Sequence, residues 1–189
     1  MTLPTQLESE RLILRRWKES DKKPFADLNT DPRVMEYFPR ILSREEAEDL
    51  ADYIEACFDK YNYGLWAVER KDNHNFIGFV GLWKPTFKAF FTPCVEIGWR
   101  LSFENWGHGF APEAAMLSLA DGFTRLKLKE IVSFTSLHNK KSIRVMEKIG
   151  LIQKGEFDHP TLPKKHFLKR HVLYAMSLDN WRDSIKTHH

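Results

Sequence analysis

The sequence predicts an α+β domain, a mixed and mostly antiparallel central sheet of about six to seven strands flanked by about four helices. Three observations lead there. Hydrophobic spacing switches between helical recurrence and strict alternation along the chain. Alternating runs in the middle are joined by a short polar turn, as in a hairpin. A strand, a helix and another strand then follow in succession, which calls for a crossover connection.

The elements follow in order. Leu12 and Leu14 alternate with their neighbours in "ERLILRRW", a first strand, and Ser20 offers an N-cap to "DKKPFADLN". Ser43 and Glu46 form a capping box ahead of "REEAEDLADYIEACFDKY", where Ala47, Leu50, Ala51, Ile54, Phe58 and Tyr61 recur at helical spacing. "GLWAVERK", the turn "DNHN" and "FIGFVGLWK" read as a hairpin. An aromatic loop, "PTFKAFFTP", leads to a strand, "CVEIGWRLS", and then to a helix from roughly Ala111 to Leu126. "EIVSFTS" is a β-branched strand, "NKKSIRVMEKIG" a short helix ended by Gly150, and "LIQKGEFDH" and "RHVLYAMSL" the last strands. No repeat, low-complexity tract or linker interrupts the chain, so one domain spanning residues 1–189 is expected, with its core at about 8–178.

Composition narrows the function classes. The 189 residues are 42% hydrophobic and 29% charged, the balance of a soluble globular protein. A formal charge of +3 without a basic stripe argues against nucleic acid as a partner. Cys57 and Cys94 are too few and too far apart for a disulfide framework, and read as buried free thiols in a reducing cytoplasm. Neither a signal sequence nor a run of about 18 apolar residues is present, so no membrane role is expected. His188 and His189 are either native or the stub of a tag and are set aside.

The stretch "RLSFENWGHGFAPEAAMLSLA" carries the first chemical signal. Gly107 and Gly109 permit positive φ and close backbone approach, while Pro112 suits the first turn of a helix. Free N–H groups and the positive end of the helix dipole would then converge on one point, suited to a phosphate or pyrophosphate. A tight loop without a ligand is the alternative from these residues alone. Two familiar phosphate motifs fail: Pro112 stands where the dinucleotide fingerprint needs a third glycine, and no G-x-x-x-x-G-K-[ST] occurs.

Together, "EIGWRLSFENWGHGFAPEAA" and "TSLHNKKSIRVMEKIGL" resemble the GNAT superfamily of acetyl-CoA-dependent N-acetyltransferases, in particular the RimJ/RimL-like branch that modifies ribosomal-protein N-termini. The family turn Q/R-x-x-G-x-G/A falls on Trp106, Gly107, His108, Gly109, Phe110 and Ala111, with Trp106 in place of Gln or Arg. The resemblance implies that this turn holds the CoA pyrophosphate, although Pro112 has no N–H to contribute. It also implies that Trp99, Arg100 and Leu101 lie on a strand that splays from "EIVSFTS", so that its edge pairs with the pantetheine arm. Asn139 matches a cofactor-contacting asparagine, and equally reads as a helix N-cap. Acetyl-CoA is therefore the expected co-substrate, without a metal, and the acceptor an amine: a protein N-terminus, a polyamine or a small amine, handled by a monomer or homodimer.

Attack on the acetyl group requires a neutral amine, whereas lysine amines titrate near about 10 and α-amines near about 8. Glu96 is the candidate base. Val95, Ile97, Trp99 and Leu101 occupy one face of its strand, and Glu96 shares the other with Cys94, Gly98 and Arg100. Burial in so apolar a strand would raise its pKa, unless it pairs with Arg100. Backbone N–H groups around Trp99 to Leu101 would steady the developing oxyanion. For the departing thiolate, Met146 occupies the position where many relatives carry tyrosine and has no proton to give, leaving Ser142 or Tyr174 as candidate donors. His159, His166 and His171 lack metal-site spacing, and His159 or His171 could line the acceptor groove. Phe87, Phe90, Phe91 and "MEYFPR" could line it too, or belong to an oligomer contact or the core. A non-catalytic acyl-CoA-binding sensor or partner subunit is the competing functional class.

Overall fold

The computed structural model describes residues 3–186, and the final histidines lie outside them. Among the described residues the sheet has eight strands: β1 (Gln6–Glu8), β2 (Leu12–Arg15), β3 (Leu65–Arg70), β4 (Phe76–Trp83), β5 (Glu96–Leu101), β6 (Glu130–Ser136), β7 (Ile152–Asp158) and β8 (Arg170–Ser177). Their order is β1-β2-β3-β4-β5-β6-β8-β7, and every neighbouring pair is antiparallel except β5 with β6. Six helices accompany them: α1 (Lys22–Thr30), α2 (Pro32–Met35), α3 (Arg44–Tyr61), α4 (Phe110–Thr124), α5 (Lys140–Lys148) and α6 (Leu178–Lys186). The mixed α+β class is as predicted. The higher counts come from three short elements, β1, α2 and α6, of three, four and nine residues.

The helix starts show which local signals survive packing. Ser43 Oγ accepts from Glu46 N–H at 3.1 Å and Glu46 Oε2 accepts from Ser43 N–H at 2.8 Å, the reciprocal box expected for α3. At α5 the C-terminal turn closes with Leu151 N–H on Met146 O and Gly150 N–H on Glu147 O, a Schellman arrangement. Ser20, by contrast, caps nothing. It lies in a 3₁₀ turn, Glu19–Asp21, and α1 begins only at Lys22. The reason is Asp21, whose buried carboxylate grips Arg15 through Nη1 at 2.7 Å and Nη2 at 2.9 Å and accepts Lys18 N–H at 2.8 Å. Arg15 reaches Glu69 on β3 with Nε at 2.7 Å, so one guanidinium joins β2, β3 and the start of α1.

Helices cover both sheet faces. Phe25, Ala47, Ala51, Ile54 and Phe79 form an apolar cluster between α1, α3 and β4. Ile97, Leu101, Ala115, Leu119, Ile131 and Met176 belong to a larger core containing α4. The two faces of β5 follow the expected alternation: Ile97 and Leu101 are buried in this core, with Val95 and Trp99 packed against it. Cys57 and Cys94 are free thiols, the first buried and the second half-buried.

The Arg15 cluster generates a stability prediction. Its carboxylates are 3% and 9% exposed, so Asp21→Ala leaves a buried cation half paired and should cost about 3–5 kcal/mol, read from denaturant midpoints.

Candidate active site

The parallel pairing of β5 with β6 is confined to one register pair, Glu96 opposite Val132. Val132 N–H donates to Val95 O at 2.9 Å and Ser133 Oγ donates to Ile97 O at 2.9 Å, and beyond these bonds the strands part. Because backbone groups alternate along a strand, Trp99 and Leu101 turn theirs the same way as Val95 and Ile97, into the gap. Leu101 O is taken by the Trp106 indole at 2.8 Å. The Trp99 N–H and C=O and the Leu101 N–H therefore line an open edge, the splay that the family resemblance implied. Arg100 has the opposite parity: its backbone faces β4, in register with Phe79, and does not reach this edge.

A cavity of about 650 Å³ passes through the gap. On the α4–α5 side its wall includes Trp106, Gly107, Gly109, Asn139, Ser142 and Met146. Through the sheet it continues between Phe38, Phe79, Glu96, Arg100, His159 and His171.

The glycine turn enters α4 with Gly107 at φ 80° and Gly109 at φ 81°, a left-handed conformation that side chains disfavour. Glu113 N–H makes the first helical bond, to Gly109 O, and among the described residues no acceptor is paired with the N–H groups of Gly107 to Ala111. A built Cβ on Gly107 meets nothing within 4 Å, so the turn faces open space. These features fit a pyrophosphate. Arg11, which the sequence did not single out, stabilises the turn: Nη1 donates to His108 O at 3.0 Å and Nε to Glu113 Oε2 at 2.7 Å. Ser9 Oγ donates to the other Glu113 oxygen at 2.7 Å. The His108 ring stacks near Phe110, outside the cavity wall.

On α5, Asn139 is an N-cap: Oδ1 accepts Ser142 N–H and Nδ2 donates to Thr135 Oγ1, both at 3.1 Å. Asn139, Ser142 and Met146 also lie on the cavity wall, so capping and contact are compatible there. Tyr174 is not brought into the site. It is 5% exposed within the large core, and its hydroxyl lies 3.3 Å from Glu147 Oε1. The parity of β8 turns Tyr174 to the α5 face of the sheet, opposite His171, where it is packed with Met146 in the core beneath that helix and does not reach the cavity wall.

Glu96 sits at the narrowing between the two halves, in register with Trp83 on β4 and Val132 on β6. Desolvation by the surrounding walls pushes its carboxyl up to about 8, although one side opens to the cavity. It makes no ion pair with Arg100, four residues along the strand on the same face. Burial also lowers Arg100, to about 10, and places its guanidinium 3.9 Å over the Phe38 ring. His159 is pushed down to about 4 by burial, then by repulsion from His171 and Lys169, and its ring centroid is 4.9 Å from that of His171. His166 instead stacks on Phe167, away from the wall.

The aromatic segments divide. Tyr37, Phe38 and Pro39 of "MEYFPR" line the cavity. Phe87 and Phe91 instead back the wall by packing edge-on or tilted against Phe134, and Phe90 is 76% exposed. Among the described residues no group of three His, Cys, Asp or Glu could hold a metal ion, and no helix is long and apolar enough to cross a membrane.

A sheet opened at one parallel pair, with a glycine turn and helix N-terminus beside the opening, defines the acyl-CoA acyltransferase class of site. Residues 11–152 match the Acetyltransferase (GNAT) domain, and the chain belongs to that family. It is 30% identical to Bacillus subtilis YkkB over 152 residues, 80% of this chain and 87% of that protein. A GNAT-family acetyltransferase from Bacillus anthracis superposes with a TM-score of 0.77 at 25% identity, covering 92% of this chain and 99% of its own. The Vibrio cholerae spermidine N-acetyltransferase, solved with CoA and spermine, shares the fold with a TM-score of 0.73 at 21% identity, over 92% of this chain and 99% of that one. The protein is an acetyl-CoA-dependent acyltransferase.

The raised Glu96 pKa has a thermodynamic signature. In the fold the carboxyl holds its proton up to about pH 8, whereas the unfolded chain releases it near 4.5, so this group makes stability fall as pH rises from 4.5 to 8. Glu96→Gln should remove that fall, and the melting temperature of the variant relative to wild type should climb across this window and level off above it.

Proposed function

We propose that the enzyme moves the acetyl group of acetyl-CoA to a primary amine by direct attack in a ternary complex, with Glu96 as the base. The observation that carries this reading is the position of a desolvated, unpaired carboxyl where the two halves of the cavity meet. With its carboxyl titrating at about 8, the carboxylate form that is present from neutrality upward is basic enough to take a proton from an ammonium acceptor, and it becomes neutral on doing so.

The glycine turn is the seat for the pyrophosphate, through the N–H groups of Gly107 to Ala111, and Asn139 and Ser142 flank the arm that runs along the β5 edge. Trp99 N–H and Leu101 N–H supply donors for the thioester oxygen as negative charge develops. A CoA thiol resembles cysteine, with a pKa near about 8.5, so its departure needs no dedicated acid. Ser142 serves as a hydrogen-bond donor on that side, where Met146 has no proton to offer. Trp106 at the head of the turn supports placement in the RimJ/RimL-like branch, whose acceptors are α-amines, and the two free thiols suit a reducing cytoplasm.

Three measurements test this reading. Glu96→Gln should lower kcat by about 10²-fold or more at neutral pH and abolish the rise of kcat/KM through about pH 8; a full-rate variant would assign the proton to solvent or another group. Gly109→Asp places a carboxylate at the helix N-terminus and should eliminate CoA binding by calorimetry in a folded protein. Thiol release from acetyl-CoA across a panel of amines and N-terminal peptides separates an enzyme from a CoA-binding sensor.

A further inference from the structure

On the acceptor side the cavity is apolar and aromatic, with Val34, Phe38, Ile54, Leu65, Phe79 and Trp83 among its walls. Into this surface the fold sets a cation. Arg100 projects from the same face of β5 as Glu96, four residues along, which places the two Cα atoms about 13 Å apart. Its Nη1 donates to Asn29 Oδ1, an amide on α1 that is 0% exposed and itself held by Asn29 Nδ2 donating to Phe25 O at 2.7 Å. The guanidinium lies 3.9 Å over Phe38 and 5.3 Å from Phe79. Its Nε is shut away without a partner, and no carboxylate pairs with it among the described residues.

A cation removed from water and left without an anion is costly, and folds normally pair it. This chain does so elsewhere: the buried Arg15 has two carboxylates. At Arg100 the fold supplies orientation only, an amide below and a ring face alongside, as in a preorganised binding site. Glu96 is the sole carboxylate among the residues lining the cavity, and Arg100 is the one lysine or arginine of its wall that lies off the α5 side. Such a wall repels a polycation and attracts an anion.

We infer that Arg100 is the seat for an anionic group on the acceptor, so that the substrate is a small primary amine carrying a carboxylate and an apolar body, and not a polyamine. This rests on the acetyltransferase reading, with the amine held at Glu96 and the carboxylate at Arg100. Arginine suits the task because its planar fork remains charged and meets a carboxylate with two donors.

Matched acceptors test it. Thiol release is followed with 4-aminobutyrate against butylamine and 6-aminohexanoate against hexylamine, with spermidine alongside. The carboxylate member of a pair should win by about tenfold or more in kcat/KM. The preference should collapse in Arg100→Gln while CoA affinity by calorimetry holds, and Arg100→Lys should retain part of it. Equal use of both members, better use of spermidine, or a preference that survives Arg100→Gln overturns the inference and leaves the acetyltransferase reading standing. Absence of thiol release with every amine overturns that reading instead. The inference then stands or falls on melting temperatures of the CoA-loaded protein, which only the carboxylate members should raise, and only with Arg100 intact. Should Arg100→Gln not fold, the wild-type pairs and Arg100→Lys decide.

Discussion

The site exists because β5 and β6 pair in parallel at one point and then separate. Val132 N–H on Val95 O and Ser133 Oγ on Ile97 O close the sheet up to Glu96, and past them the backbone of Trp99 and Leu101 has no strand beside it. Unpaired strand edges are normally covered or blunted. Here the helices carrying the glycine turn and Asn139 stand on one side of the gap and an aromatic pocket on the other. One interruption in a ladder thus creates an extended binding edge and a passage between the two faces. Glu96 sits at the last closed rung, which is why it borders both halves.

Electrostatics divide the molecule into settled and unsettled charges. Arg15 with Asp21 and Glu69 is a settled cluster: opposite charges and short hydrogen bonds offset the loss of water, and the cluster joins two strands to a helix start. Glu96 and Arg100 are the unsettled ones. Burial moves both toward neutrality, and neither relieves the other although they share a strand face. Perturbed, unpaired groups converging on one cavity mark a place where charge is meant to be completed by a ligand.

The glycine turn illustrates what local sequence conveys. Positive φ at Gly107 and Gly109, a proline in the first turn and the start of α4 were legible because each depends on a few adjacent residues. The brace on that turn was not legible. Arg11 and Glu113 are 102 residues apart, and nothing near either marks it as a partner. Asn29 was invisible for the same reason, since a polar residue on a short helix becomes a binding-site support only once β5 lies beneath it. Tyr174 shows the converse: a plausible acid in a strand next to the site that packing buries in the core beneath α5, off the cavity wall.

By itself the sequence determined the mixed α+β class, the capped helices α3 and α5, the two faces of β5 and the candidate base. These follow from periodicity and capping, which act within a few residues. Tertiary structure alone decided that β5 and β6 part after one rung, that Ser20 yields its cap position to a buried Asp21–Arg15 pair, and that Arg100 turns its backbone to β4 and its side chain to the aromatic pocket around Phe38. Each of these depends on which strand or helix lies alongside, and hydrogen-bond parity and burial are properties of neighbours in space.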